Sequence, residues 1–283
     1  MSSEKQILTI EQIKEYKIHL CESEHSRATV QKYECCLLQL HTVMEGKVLT
    51  KSNLIQWKQM LIEQYALATV NAMLAAVNGF FYFMKWNDLT MRQMKLQKTL
   101  FLDEKKELTK ADYKKLVDTA KEKKDERLSL IIQTICATGI CVSELKYITA
   151  EAVQSGRVRV NNKGKCRVIF LPAKLCGLLK RYLKKQKRTT GMVFVTRTGR
   201  PIDRSNIWRA MKALCEKAGV EPEKVFPHNL RHLFARTYYA REKDLSRLAD
   251  ILGHSNVSTT RIYTAESGTV HARQIERMGL VMI

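Results

Sequence analysis

Five side chains in the last quarter of the chain have the types and spacing for one kind of chemistry: His228, Arg231, His232, His254 and Tyr263. If the segment opening at His228 is helical, positions 228, 231 and 232 share a face, so that two imidazoles and a guanidinium point together. The next segment carries Leu245, Leu248 and Leu252 inward, reaches Gly253 as a helix-stopping residue and delivers His254 just beyond it. Tyr263 follows in the helix expected after that. Short connections would bring the set to one pocket holding a proton acceptor, cations for non-bridging oxygens and an oxygen nucleophile. Those are the parts that attack on a phosphodiester requires. The pair His228 and His232 also has metal-ligand spacing. No carboxylate or cysteine accompanies it as in H-E-x-x-H, so no metal is expected. Tyr238 and Tyr239 read as packing residues, and His232 as a hydrogen-bonding residue beside the pocket.

The elements that must position these groups are mainly helices. Prolines occur only at 172, 201, 222 and 227, so the first 171 residues lack that punctuation. Helices are expected over residues 9–21 (Ile10, Ile13 and Leu20 on one face), 26–44 (Val30, Tyr33, Leu37, Leu40, Met44), from about Ser52 (Leu54, Trp57, Leu61), and over 67–85 (Val70 to Met84). They make a small four-helix bundle. Residues 87–108 lose the apolar periodicity and suit a connection, which places a boundary near 100 and two domains at 1–100 and 101–283. In the second, Thr109 with Asp112 forms a capping-box start, and Leu128 to Ala137 reads as a buried helix stopped at Gly139. Val158 to Val160 and Arg167 to Leu171 form a hairpin with a basic tip. Leu175 to Leu183 and Ser205 to Ala218 are amphipathic, with a weak strand, MVFVT, between them.

The net charge of +21 points to a polyanionic partner. Residues 1–100 hold 12 Lys and Arg against 9 Asp and Glu, so nearly all of the excess lies in the second domain, with the candidate chemistry. No apolar run approaches the roughly 18 residues of a membrane span, and the N-terminus lacks a secretory core, so a cytoplasmic, nucleoid-associated protein is expected. The eight cysteines are scattered without a CxxC pair, which suits reduced thiols.

The ordered set H-x-L-R-H (228–232), L-G-H-S (252–255) and T-T-x-x-Y ending at Tyr263 resembles the C-terminal signature of the tyrosine site-specific recombinases, which include Xer-type recombinases and phage or transposon integrases. The likeness extends upstream through Ala137 to Leu145 and the hairpin Asn161 to Arg167, and covers roughly residues 5–270. It implies an N-terminal four-helix, SAM-like core-binding domain and a catalytic domain that is mainly α with a small β-hairpin. It also implies metal-independent, cofactor-free cleavage and rejoining of double-stranded DNA through a 3′-phosphotyrosine link, by a homotetramer on paired sites. By motif position Tyr263 is the nucleophile, Arg231 a phosphate clamp, His228 the acid/base and His254 a further phosphate donor. Lys163 is the hairpin general acid, with Lys165 its competitor. Expected DNA contacts are Arg27, Thr29 and Lys32 on the second helix, Lys165 and Arg167 on the hairpin, and Arg197, Arg200 and Arg204 around a turn. Residues 270–283 are a candidate docking segment for a neighbouring subunit. Type IB topoisomerases share the chemistry, but the N-terminal bundle and the L-G-H-S spacing fit recombinases better.

One position departs from the pattern. Thr138, Gly139, Ile140, Val142, Ser143, Glu144 and Leu145 frame a cysteine, Cys141, where the family's first arginine is expected. A mostly neutral thiol does not imitate a bidentate guanidinium. Cleavage is therefore expected to suffer while binding largely survives, and Cys141→Arg to raise cleavage with little change in affinity. An engineered substitution, a degenerate copy and an active variant using another cation all remain open. The rival reading is a catalytically silent relative that occupies or synapses recombination sites.

Overall fold

The computed structural model describes residues 6–95, 106–162, 165–254, 256–263 and 276–278, the side chains of Asn162 and Lys165 excepted. The chain divides into two compact units, Met1–Lys98 and Thr99–Ile283. No described helix is long and apolar enough to cross a membrane.

The first unit is a bundle of α1 (Ile10–Glu22), α2 (Arg27–Met44), α3 (Lys51–Gln64) and α4 (Leu67–Phe83). Three of the four starts are set by side-chain caps: Thr9 on the amide of Gln12, Ser26 on that of Thr29 and Thr50 on that of Asn53. Leu37, Leu54, Trp57, Leu74, Phe80 and Phe81 fill the core. Residues 87–95 are not the open connection that their lost periodicity suggested. Asn78 both donates to the carbonyl and accepts from the amide of Met91, at 2.7 and 2.8 Å, and Asn71 does the same with Met94 at 2.8 Å each way. Two asparagine side chains thus stand in for a neighbouring strand, and Leu89 and Met91 are buried with the bundle.

The second unit opens with α5 (Lys110–Glu122), where Thr109 Oγ1 accepts from the amide of Asp112 and the Asp112 carboxylate accepts from the amide of Thr109. It continues through α6 (Glu126–Thr138), a 3-10 segment (Val142–Tyr147) and α7 (Ala150–Ser155). The hairpin of β1 (Arg157–Asn162) and β2 (Lys165–Phe170) is antiparallel, with Val158 opposite Ile169 and Val160 opposite Arg167. Period-two alternation buries Val158, Val160 and Ile169 and leaves Val168 and Phe170 exposed. Helices then return as α8 (Ala173–Lys185), α9 (Arg204–Lys212), α10 (Cys215–Ala218), α11 (Pro227–Glu242), α12 (Leu245–Leu252) and α13 (Val257–Thr260).

Three expectations need correction. The segment MVFVT is no ladder strand: Met192 pairs only with Thr149 and Val195 only with Pro201, each by a single bridge. The helix expected from Ser205 to Ala218 breaks between Lys212 and Cys215, where the Ala213 carbonyl accepts from Lys123 Nζ at 2.8 Å. The helix expected to carry Tyr263 lasts one turn and passes into a 3-10 turn, Arg261–Tyr263.

Candidate active site

Helix α11 is the spine of the site. Proline at its first turn needs no amide partner there, and Leu230, Leu233 and Ala235 anchor it in the core. That anchoring sends Arg231 inward, to 4% exposure, while His228 stays open to a cleft of about 710 Å³ that Cys141 and Arg204 also line.

Arg231 is held by four neighbours on two segments. Nη1 donates to the Gly139 carbonyl at 2.8 Å and lies 3.0 Å from Cys141 Sγ; Nη2 donates to the Leu252 carbonyl at 2.7 Å and meets His254 Nε2 at 3.1 Å. Its buried Nε has no hydrogen-bond partner. A guanidinium only donates, so His254 Nε2 accepts, and the ring proton sits on Nδ1 and is given to Thr260 Oγ1 at 2.8 Å. The tautomer of His254 follows from its two partners. Its delivery point is a Schellman turn, in which the His254 amide donates back to the Ala249 carbonyl after Gly253 enters the left-handed region.

Behind this cage lies a buried ion pair. Arg167 Nη1 and Nη2 meet Glu144 Oε1 and Oε2 at 2.9 and 2.8 Å, and Arg167 Nε donates to the Ile251 carbonyl at 3.2 Å. Glu144, 2% exposed, also accepts from the Cys141 amide at 2.8 Å. Glu144 and Arg167 thus tie the segment bearing Cys141 to the turn bearing His254. Arg167, expected on the DNA side, is turned inward: it shares the core-facing side of β2 with Ile169, and its guanidinium is spent on scaffold.

Tyr263 is buried to 4% exposure, its ring packed edge-on to His232 at 4.9 Å and stacked on His254 at 6.0 Å between centroids. Burial raises the phenol's pKa, and the charge of Arg231 pulls it back in part. His232 in turn packs against His228 at 4.6 Å and sits 3.8 Å from Glu107, which pairs with Arg236 at 2.8 Å. His228 and His254 are both pushed down to about 4. For His228 the causes are burial, then the neighbouring His232, Arg231, Arg204 and His254; for His254 they are burial, then Arg231 and Arg167. Both imidazoles are neutral at pH 7. Burial raises the Cys141 thiol too, against the pull of Arg231. Among the described residues no three His, Cys, Asp or Glu side chains gather as metal ligands, so the pair His228 and His232 gains no third partner.

The structure therefore brings Arg231, His254, Tyr263 and Cys141 into direct or near contact, with His228 reached through His232. Lys163 and the side chain of Lys165 lie outside the described residues, as does the docking segment apart from Glu276–Met278. Arg27 and Lys32 are exposed on α2, whereas Thr29 takes part in the cap, 2.8 Å from Ser26 Oγ. Arg197 and Arg200 flank an exposed turn closed by the Thr196 amide on the Arg200 carbonyl, and Arg204 opens α9. Sequence reasoning offered Glu144 as either a hydrogen-bonding support of the pocket or a helix-start carboxylate, and missed Thr260, Glu107 and the pairing of Glu144 with Arg167. Only the last left a signal, the inward parity of residue 167.

Residues 106–269 match the phage integrase family. Among curated proteins, tyrosine recombinase XerA of Pyrococcus furiosus is 29% identical over 97% of this chain and 96% of its own length. Two solved structures share the fold. XerH recombinase bound to its palindromic difH substrate after cleavage has a TM-score of 0.68 at 20% identity, over 89% of this chain and 79% of that one. A lambda integrase tetramer bound to a Holliday junction has 0.75 at 15% identity, over 93% and 78%.

Proposed function

Because the chain belongs to the phage integrase family, we propose that it is a site-specific DNA recombinase that cleaves and rejoins double-stranded DNA through Tyr263. Tyr263 Oη attacks the scissile phosphorus, the P–O5′ bond breaks, and a 3′-phosphotyrosine bond conserves the energy for rejoining by the reverse step. His228, neutral at pH 7 and open to the cleft, receives the phenol proton. Lys163, or Lys165, returns a proton to the leaving 5′-oxygen. Arg231, which lines the cleft, draws charge from the non-bridging oxygens through its guanidinium. His254 accepts from Arg231, so its first role is to aim that guanidinium; donation to phosphate requires a change of partner or proton. Arg27, Lys32, Arg197, Arg200 and Arg204 supply phosphate contacts, and the assembly is a homotetramer on paired sites.

The observation that carries this reading is the packing of a buried tyrosine against two imidazoles, under the charge of a buried arginine, within one unit of one chain. The test uses nicked duplexes spanning the inverted repeats around the chain's own gene, resolved on denaturing gels. The native chain becomes covalently attached to DNA; Tyr263→Phe does not, yet shifts the same duplex in a native gel. Cys141 is the observation that favours a second reading, a silent relative that occupies sites without cutting. Site-specific binding without attachment, by the native chain and by Cys141→Arg alike, would establish that reading instead.

A further inference from the structure

At Cys141 the site lacks the second guanidinium with which a scissile phosphate is clamped from two sides, and the thiol there is neutral and already in contact with Arg231. Another cation reaches the same cleft. Arg204, first residue of α9, lines it together with Cys141, His228 and Arg231, and also lines the adjoining pocket formed by Val142 and Ser143, the residues next to Cys141. Its charge is among those that hold His228 neutral, so its field already acts on the site. The Arg204 side chain makes no hydrogen bond or ion pair with the described residues, and it is exposed. The other two arginines of the cleft are engaged: Arg231 by two carbonyls, and Arg209 by Asn206 Oδ1 at 2.8 Å.

We infer that Arg204 supplies the guanidinium that Cys141 lacks, binding a non-bridging oxygen of the scissile phosphate opposite Arg231. The role is electrostatic: Arg204 forms no covalent bond and moves no proton. A long, unpaired side chain at the cleft wall can reach a phosphate held between the two arginines, and its fork matches two phosphate oxygens as an ammonium does not. The assignment rests on the recombinase reading above and makes Arg204 a catalytic residue of this chain, beyond a contact to flanking backbone.

The experiment compares Arg204→Ala and Arg204→Lys in the native and Cys141→Arg backgrounds, reading the rate of covalent attachment to the nicked duplexes and, separately, affinity for the same duplex unnicked. In the native background Arg204→Ala lowers attachment by on the order of 10²–10³, the usual effect of losing one preorganised donor, and Arg204→Lys recovers part of it. Affinity falls by less than about tenfold, since one phosphate contact is a small part of the total. In the Cys141→Arg background the loss of rate shrinks to about tenfold or less, because the clamp is complete without Arg204. A thermal melt unchanged by either substitution keeps folding out of the comparison. An equal loss in both backgrounds, or one confined to affinity, makes Arg204 an ordinary backbone contact and overturns the inference while leaving the recombinase reading intact. Attachment by Cys141→Arg alone overturns the inference also, since the native chain then has no compensating cation. No attachment by any form overturns both.

Discussion

Replacing Gly253 with alanine tests whether the Glu144–Arg167 pair sets the position of His254. Gly253 has a φ of +72°, and a Cβ there would meet Arg167 Nη1 at 2.6 Å and its Cζ at 2.9 Å. The far end of an arginine ordinarily yields at little cost, but this one is fixed on both Glu144 oxygens and on the Ile251 carbonyl. Gly156 is the internal control, with a φ of +69° and nothing within 4 Å of a built Cβ. Gly156→Ala therefore carries only the left-handed backbone cost, about 1–2 kcal/mol. Gly253→Ala adds displacement of a buried pair, whose complete rupture costs about 3–5 kcal/mol, and an excess of at least ~2 kcal/mol over the control is expected. Each kcal/mol lowers Tm by about 2–4 °C for a unit of this size. Urea titration and thermal melts of the full chain measure the difference, and covalent attachment drops with it because His254 is the next residue. Repeating Gly253→Ala in an Arg167→Ala background, which removes all three of the arginine atoms that the new Cβ would meet, should reduce its cost to that of Gly156→Ala. If the cost is the same with and without Arg167, the steric account is wrong.

His228 and His254, at about 4 against an ordinary 6.5, are protonated in the unfolded chain before the folded one. Their stabilisation is complete above pH 6.5 and is lost as pH falls toward 4; stability measured against pH should decline there, and less in a His228→Gln/His254→Gln variant. Glu144→Gln keeps the shape of the buried carboxylate but leaves the Arg167 charge uncompensated. It should lower stability by about 3–5 kcal/mol in urea titration, with loss of attachment exceeding any loss of affinity. Cys141→Arg sets a cation where the thiol lies 3.0 Å from Arg231 Nη1. Like charges 4 Å apart repel by up to about 4 kcal/mol at an effective dielectric constant near 20, so this variant should melt below the native chain at low salt, with duplex DNA closing the gap.

Much of the scaffold could be read from periodicity and punctuation. The stripes of the first four helices, the Thr109–Asp112 box and the stop at Gly139 are local signals, each satisfied within a few residues. The contacts that complete the site are not local. The Gly139 and Leu252 carbonyls that grip Arg231 lie 92 and 21 residues away from it, and carbonyls carry no signature in a sequence. The residues that the structure gathers near Arg231 were legible as a group because His228, Arg231, His254 and Tyr263 fall on one short stretch, in an order that elementary helix geometry could assemble. Arg167 was misassigned because its charge was weighed above its parity in the strand. Residues 87–95 were misread because their partners are asparagine side chains, which periodicity does not register.

The pattern of charge around Arg231 has a physical logic. Glu144 is committed to Arg167 and Glu107 to Arg236, so among the described residues no carboxylate pairs with Arg231, although it is 4% exposed. Among the described residues the groups that accept hydrogen bonds from it at the distances given above are neutral: two carbonyls, a thiol and an imidazole. A carboxylate in any of those places would fix the guanidinium equally well, but it would cancel the charge and compete with an incoming phosphate. Neutral acceptors fix its direction and leave its charge uncompensated, so that on the recombinase reading proposed above the phosphate would be its counter-ion. The downward shift of both imidazoles and the upward shift of the Cys141 thiol serve the same condition, since a second cation would repel Arg231 and a thiolate would neutralise it. In this setting cysteine at 141 preserves the cage, since its thiol lies 3.0 Å from Arg231 Nη1 and burial keeps it from adding a negative charge there.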